Sequence, residues 1–283
     1  MKKNISILII ILLLNTKNYS QKNDTQAAFF NVALGSVFSG VGALINQKNE
    51  DNWHKVLLRG MGQGAIGGYL VFESKRMIRN IEEKQVWEYA WGGKLLNSAG
   101  ISIIENASLN RKFGENWNIN IGFLRLELSV KNQFKISPKI MPVSLIYGTL
   151  YGTINGKFEF MKSLQTGELI FSTINPKNIG NTLSNILIID KQFINNYKII
   201  SHEIIHSYQY NDYNTFNTYL SEPIKSIEKK SKTLQNINRW IYLDLQGITL
   251  RALYYLENRN INCYYDNFFE HEAGYYSNSI ICE

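Results

Sequence analysis

Two apolar stretches punctuated by glycine limit what the amino-terminal third of this chain can become. Residues 27–45 carry Gly35, Gly40 and Gly42, and residues 56–72 carry Gly60, Gly64 and Gly68 at intervals of four. That interval puts the three glycines on one helical face, where the missing side chains let another helix approach closely. The pattern predicts a close-packed helical hairpin, inserted in a membrane or buried in a soluble core. Hydrocarbon penalises Asn31, Arg59 and Gln63 within the stretches. A soluble or peripheral hairpin is therefore the preferred reading, and membrane contact through 27–72 is the alternative.

Ahead of this hairpin, Lys2 and Lys3 precede a ten-residue run, Ile5 to Leu14, interrupted only by Ser6. A charged start and a short apolar segment match a secretory signal peptide over 1–20, whereas spanning a bilayer takes about 20 residues. Export to the periplasm, cell envelope or medium follows as the expectation. An oxidising compartment favours a disulfide between the chain's two cysteines, Cys263 and Cys282. Removing Lys2, Lys3 and Lys17 from the 30 basic residues leaves 27 against 23 acidic, a balance too mild to predict a nucleic-acid partner. With 45% hydrophobic and 19% charged residues, the chain has enough apolar surface for a large core, which excludes a disordered polymer.

The rest of the chain changes period twice. Residues 78–110 read as helix, with Trp87, Trp91, Leu95 and Leu96 among the apolar positions and Gly100 as a candidate break. From Trp117 to Val130 apolar and polar residues alternate, the signature of a strand, and further strand candidates follow. The expectation is a mostly antiparallel sheet over 117–175. Helical patterning returns at 191–210 and between Pro223 and Glu257, where Ile237, Trp240, Ile241, Leu245, Ile248 and Ala252 share one face and predict a core stripe. The fold class expected is α+β: one domain over 21–283, with a Gly-rich helical region (27–110), a sheet (117–175) and a carboxy-terminal helical half (191–283).

That last half holds the chain's chemical signature, His202-Glu203-Ile204-Ile205-His206. Two histidines four apart lie about 40° apart around a helix and can ligate one ion, with the intervening glutamate near a coordinated water. Imidazole with carboxylate in an open four-coordinate site favours Zn²⁺. Zinc lowers the pKa of its water towards about 7, and Glu203 is the base that takes the proton. Gln209, three residues past His206, lies towards the same face and is a candidate outer hydrogen-bond partner. Tyr208, Tyr210 and Tyr213 are candidate donors to an oxyanion. His54 stands apart in a polar loop.

A catalytic zinc needs a third protein ligand, and Asn267-Phe-Phe-Glu270-His271-Glu272-Ala273-Gly274 is the downstream candidate. His202-Glu-Ile-Ile-His206-Ser-Tyr-Gln209 followed by Glu270-His-Glu-Ala273 resembles the glutamate-ligand zinc peptidases, the gluzincins. More narrowly, it is similar to bacterial exported peptidase-like proteins with H-E-x-x-H-x-x-Q and a later E-x-E-A. The resemblance covers about a quarter of the chain. It implies a zincin-like active-site helix, a peptide or protein substrate, His202, His206 and Glu270 as ligands, and Glu203 as general base. Many gluzincins carry Asp after that Ala, where this chain has Gly274, so one outer partner of a ligand histidine is missing. Read from the residues alone, His271, Glu272 and Glu222 stay open as ligands. Glu270 and Glu272 point about 200° apart on a helix, so only one of them can face the ion. The rival reading is a non-catalytic cell-envelope or membrane-associated protein with a structural metal.

Overall fold

The computed structural model describes residues 21–48, 50–131, 133–174, 178–258 and 263–280. Residues 1–20, where a signal peptide was expected, and Cys282 lie outside them. Among the described residues, three long helices lead: α1 (Asp24–Ile45), α2 (Trp53–Lys84) and α3 (Tyr89–Ser108). Asparagine begins two of them. The Asn23 side chain accepts from Gln26 N, and Asn52 accepts from His54 N and Lys55 N, each meeting amides that the first turn leaves unpaired.

Glycine sets how closely these helices cross. A Cβ on Gly35 of α1 would lie 2.5 Å from the Gly64 carbonyl oxygen of α2, and one on Gly60 would lie 2.8 Å from Ala43 Cβ. The expected close-packed hairpin is therefore present. It extends to α3, because Gly67 and Gly100 meet face to face and a Cβ on either would be 2.6 Å from the other's carbonyl oxygen. Gly100 is thus a crossing point and not a helix break, and α3 runs through it unbroken. Among the described residues, α1 is the one helix long and apolar enough to cross a membrane. Ala27, Phe38, Val41 and Ala43 on it are buried against the rest of the protein.

The middle of the chain departs from a single antiparallel sheet. Strands β1 (Asn116–Ile121), β2 (Leu124–Ser129) and β3 (Lys135–Ile140) form an antiparallel meander. A π-helical segment (Ser144–Leu150) then runs into α4 (Tyr151–Asn155) and is followed by β4 (Lys157–Phe158) and α5 (Phe160–Thr166). A second sheet adds β5 (Leu169–Thr173), β6 (Gly180–Leu183) and β7 (Ile186–Asp190) in the order β4-β5-β7-β6, with β5 and β7 parallel. β7 reads Ile-Leu-Ile-Ile, with all four buried. A strand covered on both faces shows no alternation, so 186–190 did not announce itself as one.

The carboxy-terminal part is helical: α6 (Tyr197–Asp212), α7 (Thr215–Tyr219), α8 (Ser221–Glu228), α9 (Lys232–Trp240), α10 (Gln246–Glu257) and α11 (Phe268–Ser277). The helical patterning expected between Pro223 and Glu257 is divided among three helices, α8, α9 and α10. The expected core stripe there is also corrected. Trp240 is 59% and Ile248 64% exposed, because Ile237 and Trp240 fall on α9 while Ile248 falls on α10, and no single face unites them. The core instead surrounds α6, whose Ile200, Ile204, Ile205 and Tyr208 pack with Ile78 and Ile81 of α2, Leu187 and Ile189 of β7, and Ala273 and Tyr276 of α11. Each fully buried isoleucine contributes about 1.5–3 kcal/mol. Together these elements make an α+β fold.

Candidate metal centre

α6 begins at Asn196, whose side chain accepts from Ile199 N. The buried isoleucines fix its rotation, so His202 and His206 emerge together on the side facing α11. That partner helix is capped by the wholly buried Asn267, which accepts from Phe269 N and Glu270 N and donates to Tyr254 O at 3.3 Å and Asn258 Oδ1 at 2.8 Å. Glu270 follows in the first turn, where the helix dipole favours an acidic group.

The two helices bring three ligand-type atoms into a near-equilateral triangle. His202 Nε2 is 3.1 Å from Glu270 Oε2 and 3.1 Å from His206 Nε2, and His206 Nε2 is 3.2 Å from Glu270 Oε2. Ligand atoms bonded at about 2.0–2.1 Å around a tetrahedral ion lie roughly 3.3–3.4 Å apart, so the three atoms already stand near the spacing of a shared coordination sphere. His202, His206 and Glu270 could together hold a metal ion. Among the described residues no fourth His, Cys, Asp or Glu joins the group. The two histidine side chains keep 11% and 16% of their surface exposed, so solvent reaches the site.

The electrostatics suit a cation. Burial opposes protonation of His206, but the adjacent Glu270 carboxylate more than reverses this and pushes the imidazole up to about 9. Burial alone would raise Glu270; His206 and His202 instead hold it well below the usual carboxylate range. Tyr254 Oη donates to the other carboxylate oxygen, Oε1, at 2.8 Å.

The remaining sequence candidates separate clearly. Glu203 is buried on α6, where Thr182 Oγ1 of β6 donates to its Oε2 at 2.7 Å and to its backbone carbonyl at 2.9 Å. Its Oε1 lies against the bare α-carbon of Gly180, where a Cβ would be 2.5 Å away. Gln209 Oε1 meets His206 Nδ1 at 2.8 Å. His271 and Glu272 do not join the triangle: His271 Nε2 is 3.3 Å from Gln21 O, and Glu272 turns away to Lys75. Glu222 pairs with Lys225 on the surface. Tyr208 and Tyr210 point into the core, with Tyr208 Oη near Ala90 O and Tyr210 Oη on Asp244, and Tyr213 is buried among Phe38, Phe216 and Phe269. Tyr254 and Tyr264, both missed in the sequence, are the tyrosines that hydrogen-bond this carboxylate among the described residues; with 17 tyrosines, nothing local marked them. Gly274, the position where gluzincins often have Asp, packs on Tyr265 and Ile280. His54 stacks on Trp53, far from this chemistry in the sequence. Cys263 is disulfide-bonded, and Cys282, its expected partner, is outside the described residues.

No family model, curated protein or solved structure matches this chain.

Proposed function

We propose that the protein is a zinc-dependent hydrolase and, given an H-E-x-x-H helix facing a glutamate helix, most simply a peptidase. The observation that carries the reading is a three-ligand, solvent-reached triangle with a buried carboxylate, Glu203, on the same helix as two of its members. Structural zinc sites are closed by four protein ligands, whereas catalytic ones keep a position for water or substrate; the triangle supports the second arrangement. His202, His206 and Glu270 would hold the ion. When bound, zinc acts as a Lewis acid on a carbonyl oxygen and makes water acidic near neutral pH.

The protein's own groups do the rest. Thr182 pins Glu203 Oε2, leaving Oε1 as the atom that accepts a proton from the attacking water and passes it to the leaving amine. Tyr254 and the two imidazoles hold the Glu270 carboxylate in one orientation, which fixes the ligand before substrate arrives. Strand β6 ends its sheet beside α6 and offers backbone groups along which an extended peptide can pair. Export remains part of the reading on the strength of the segment 1–20.

A peptide-library cleavage assay on purified protein tests it, run beside Glu203→Gln. The expected result is cleavage by wild type and none by Glu203→Gln at equal zinc content. Cleavage by Glu203→Gln at the wild-type rate would remove Glu203 from its role.

A further inference from the structure

Gln209 is held so that only one of its atoms can face the metal ligand. Its Nε2 donates to Phe269 O at 2.8 Å and to Glu272 Oε2 at 2.9 Å, and both of those partners only accept. Reversing the amide would aim its oxygen at two acceptors, so Oε1 stays against His206 Nδ1 at 2.8 Å. An amide oxygen cannot donate, and Nδ1 must therefore carry the hydrogen. Nε2 is then the ring atom turned to the triangle.

Glu272 is fixed in the same manner. Its Oε1 accepts from Lys75 Nζ at 2.9 Å and from Gln21 Nε2 at 3.0 Å. Lys75 on α2 is wholly buried, and its three N–H groups meet Asn31 Oδ1 at 3.1 Å, Asp212 Oδ2 at 2.6 Å and Glu272 Oε1. Asp212 ends α6 and Glu272 lies on α11, so one ammonium ties both ligand-bearing helices to the glycine hairpin. Apolar residues often replace buried ion pairs without loss, so the pairing is weak evidence for a purely stabilising role.

We infer that Lys75, Glu272 and Gln209 form a buried hydrogen-bond relay that positions His206 as a metal ligand, with its proton on Nδ1 and Nε2 directed to the ion. This rests on the metal-centre reading and adds the residues that hold the ligand in register. It also gives the amino-terminal hairpin a part in the site.

The test uses cobalt(II) as the probe ion, with affinity measured by chelator competition and ligand geometry by the visible d–d spectrum, on the full protein. Gln209→Met and Lys75→Met are expected to weaken cobalt binding about 10–100-fold and to shift the visible band. The control is Lys94→Met, which removes another buried ion pair, Lys94 with Glu168 at 2.7 Å, that meets α6 at Ser207 and not at a ligand. It is expected to keep the wild-type affinity and spectrum. Should Lys75→Met not fold, Gln209→Met decides alone, since Glu272 keeps Lys75 as its partner there. Wild-type affinity and spectrum in Gln209→Met would overturn the relay, as would equal weakening by Lys94→Met. No cobalt binding by the wild type would instead overturn the metal centre itself, and the relay with it.

Discussion

His206 carries most of what can be tested on a single residue. In an unfolded chain its imidazole titrates near about 6.5, whereas beside Glu270 it is pushed up to about 9. A raised value in the folded state means that the interaction stabilises fully below about pH 6.5 and is lost as pH rises through about 9. The metal-free protein is therefore expected to lose stability progressively across that window, on the order of a few kcal/mol, read as a falling melting temperature. With zinc bound, His206 is held as the neutral imidazole, its hydrogen on Nδ1, across that window, and the decline disappears. A flat metal-free melting profile between those pH values would contradict the pairing. The motif pair His202 and His206 was legible because one helical turn connects them. Glu270 needed the resemblance, since 64 residues separate it from His206 and only tertiary structure joins them.

At the scale of helices and strands, two glycines make opposite predictions. Gly100 faces backbone, the Gly67 carbonyl oxygen, which cannot move without parting α2 and α3. Gly100→Val should destabilise the protein by about 1–3 kcal/mol or more, read as a lower melting temperature. Gly180 faces the end of a side chain, Glu203 Oε1, which can swing aside. Gly180→Ala should leave melting and zinc content near wild type yet reduce turnover about 100-fold, because a base displaced by about 1 Å loses its geometry. Unaltered turnover in Gly180→Ala would mean that Glu203 is not held against β6 during the reaction. The glycine-spaced helices were readable because their period and their packing have the same cause. The second sheet was not. Its strand 186–190 is buried on both faces and shows no period of two, while 144–166 buries only part of its surface, with Ile146, Leu150 and Ile154 exposed, and so carries no clean amphipathic pattern.

Across the whole molecule, the proposed ion would join α6 to α11 and so close a loop that spans α7 to α10. Ligand binding to the folded state alone stabilises it by about 4 kcal/mol at a thousandfold excess over the dissociation constant. Stripping zinc with a chelator should accordingly lower the melting temperature by several degrees and loosen 213–258, seen as faster amide hydrogen exchange there. No change in exchange would show that the core around α6 holds these helices without help. The α+β class and the helical ends followed from composition and period, but how the hairpin meets the metal site did not. Lys75, Asp212 and Glu272 are distant in sequence, and a buried lysine looks like any surface lysine until its neighbours are known.

Zinc analysis of the purified protein beside His206→Ala and Glu270→Ala tests most directly whether His202, His206 and Glu270 grip one ion. About one zinc per chain in wild type and strongly reduced zinc in both variants is the predicted result. Full zinc occupancy in Glu270→Ala, or none in wild type, would contradict it.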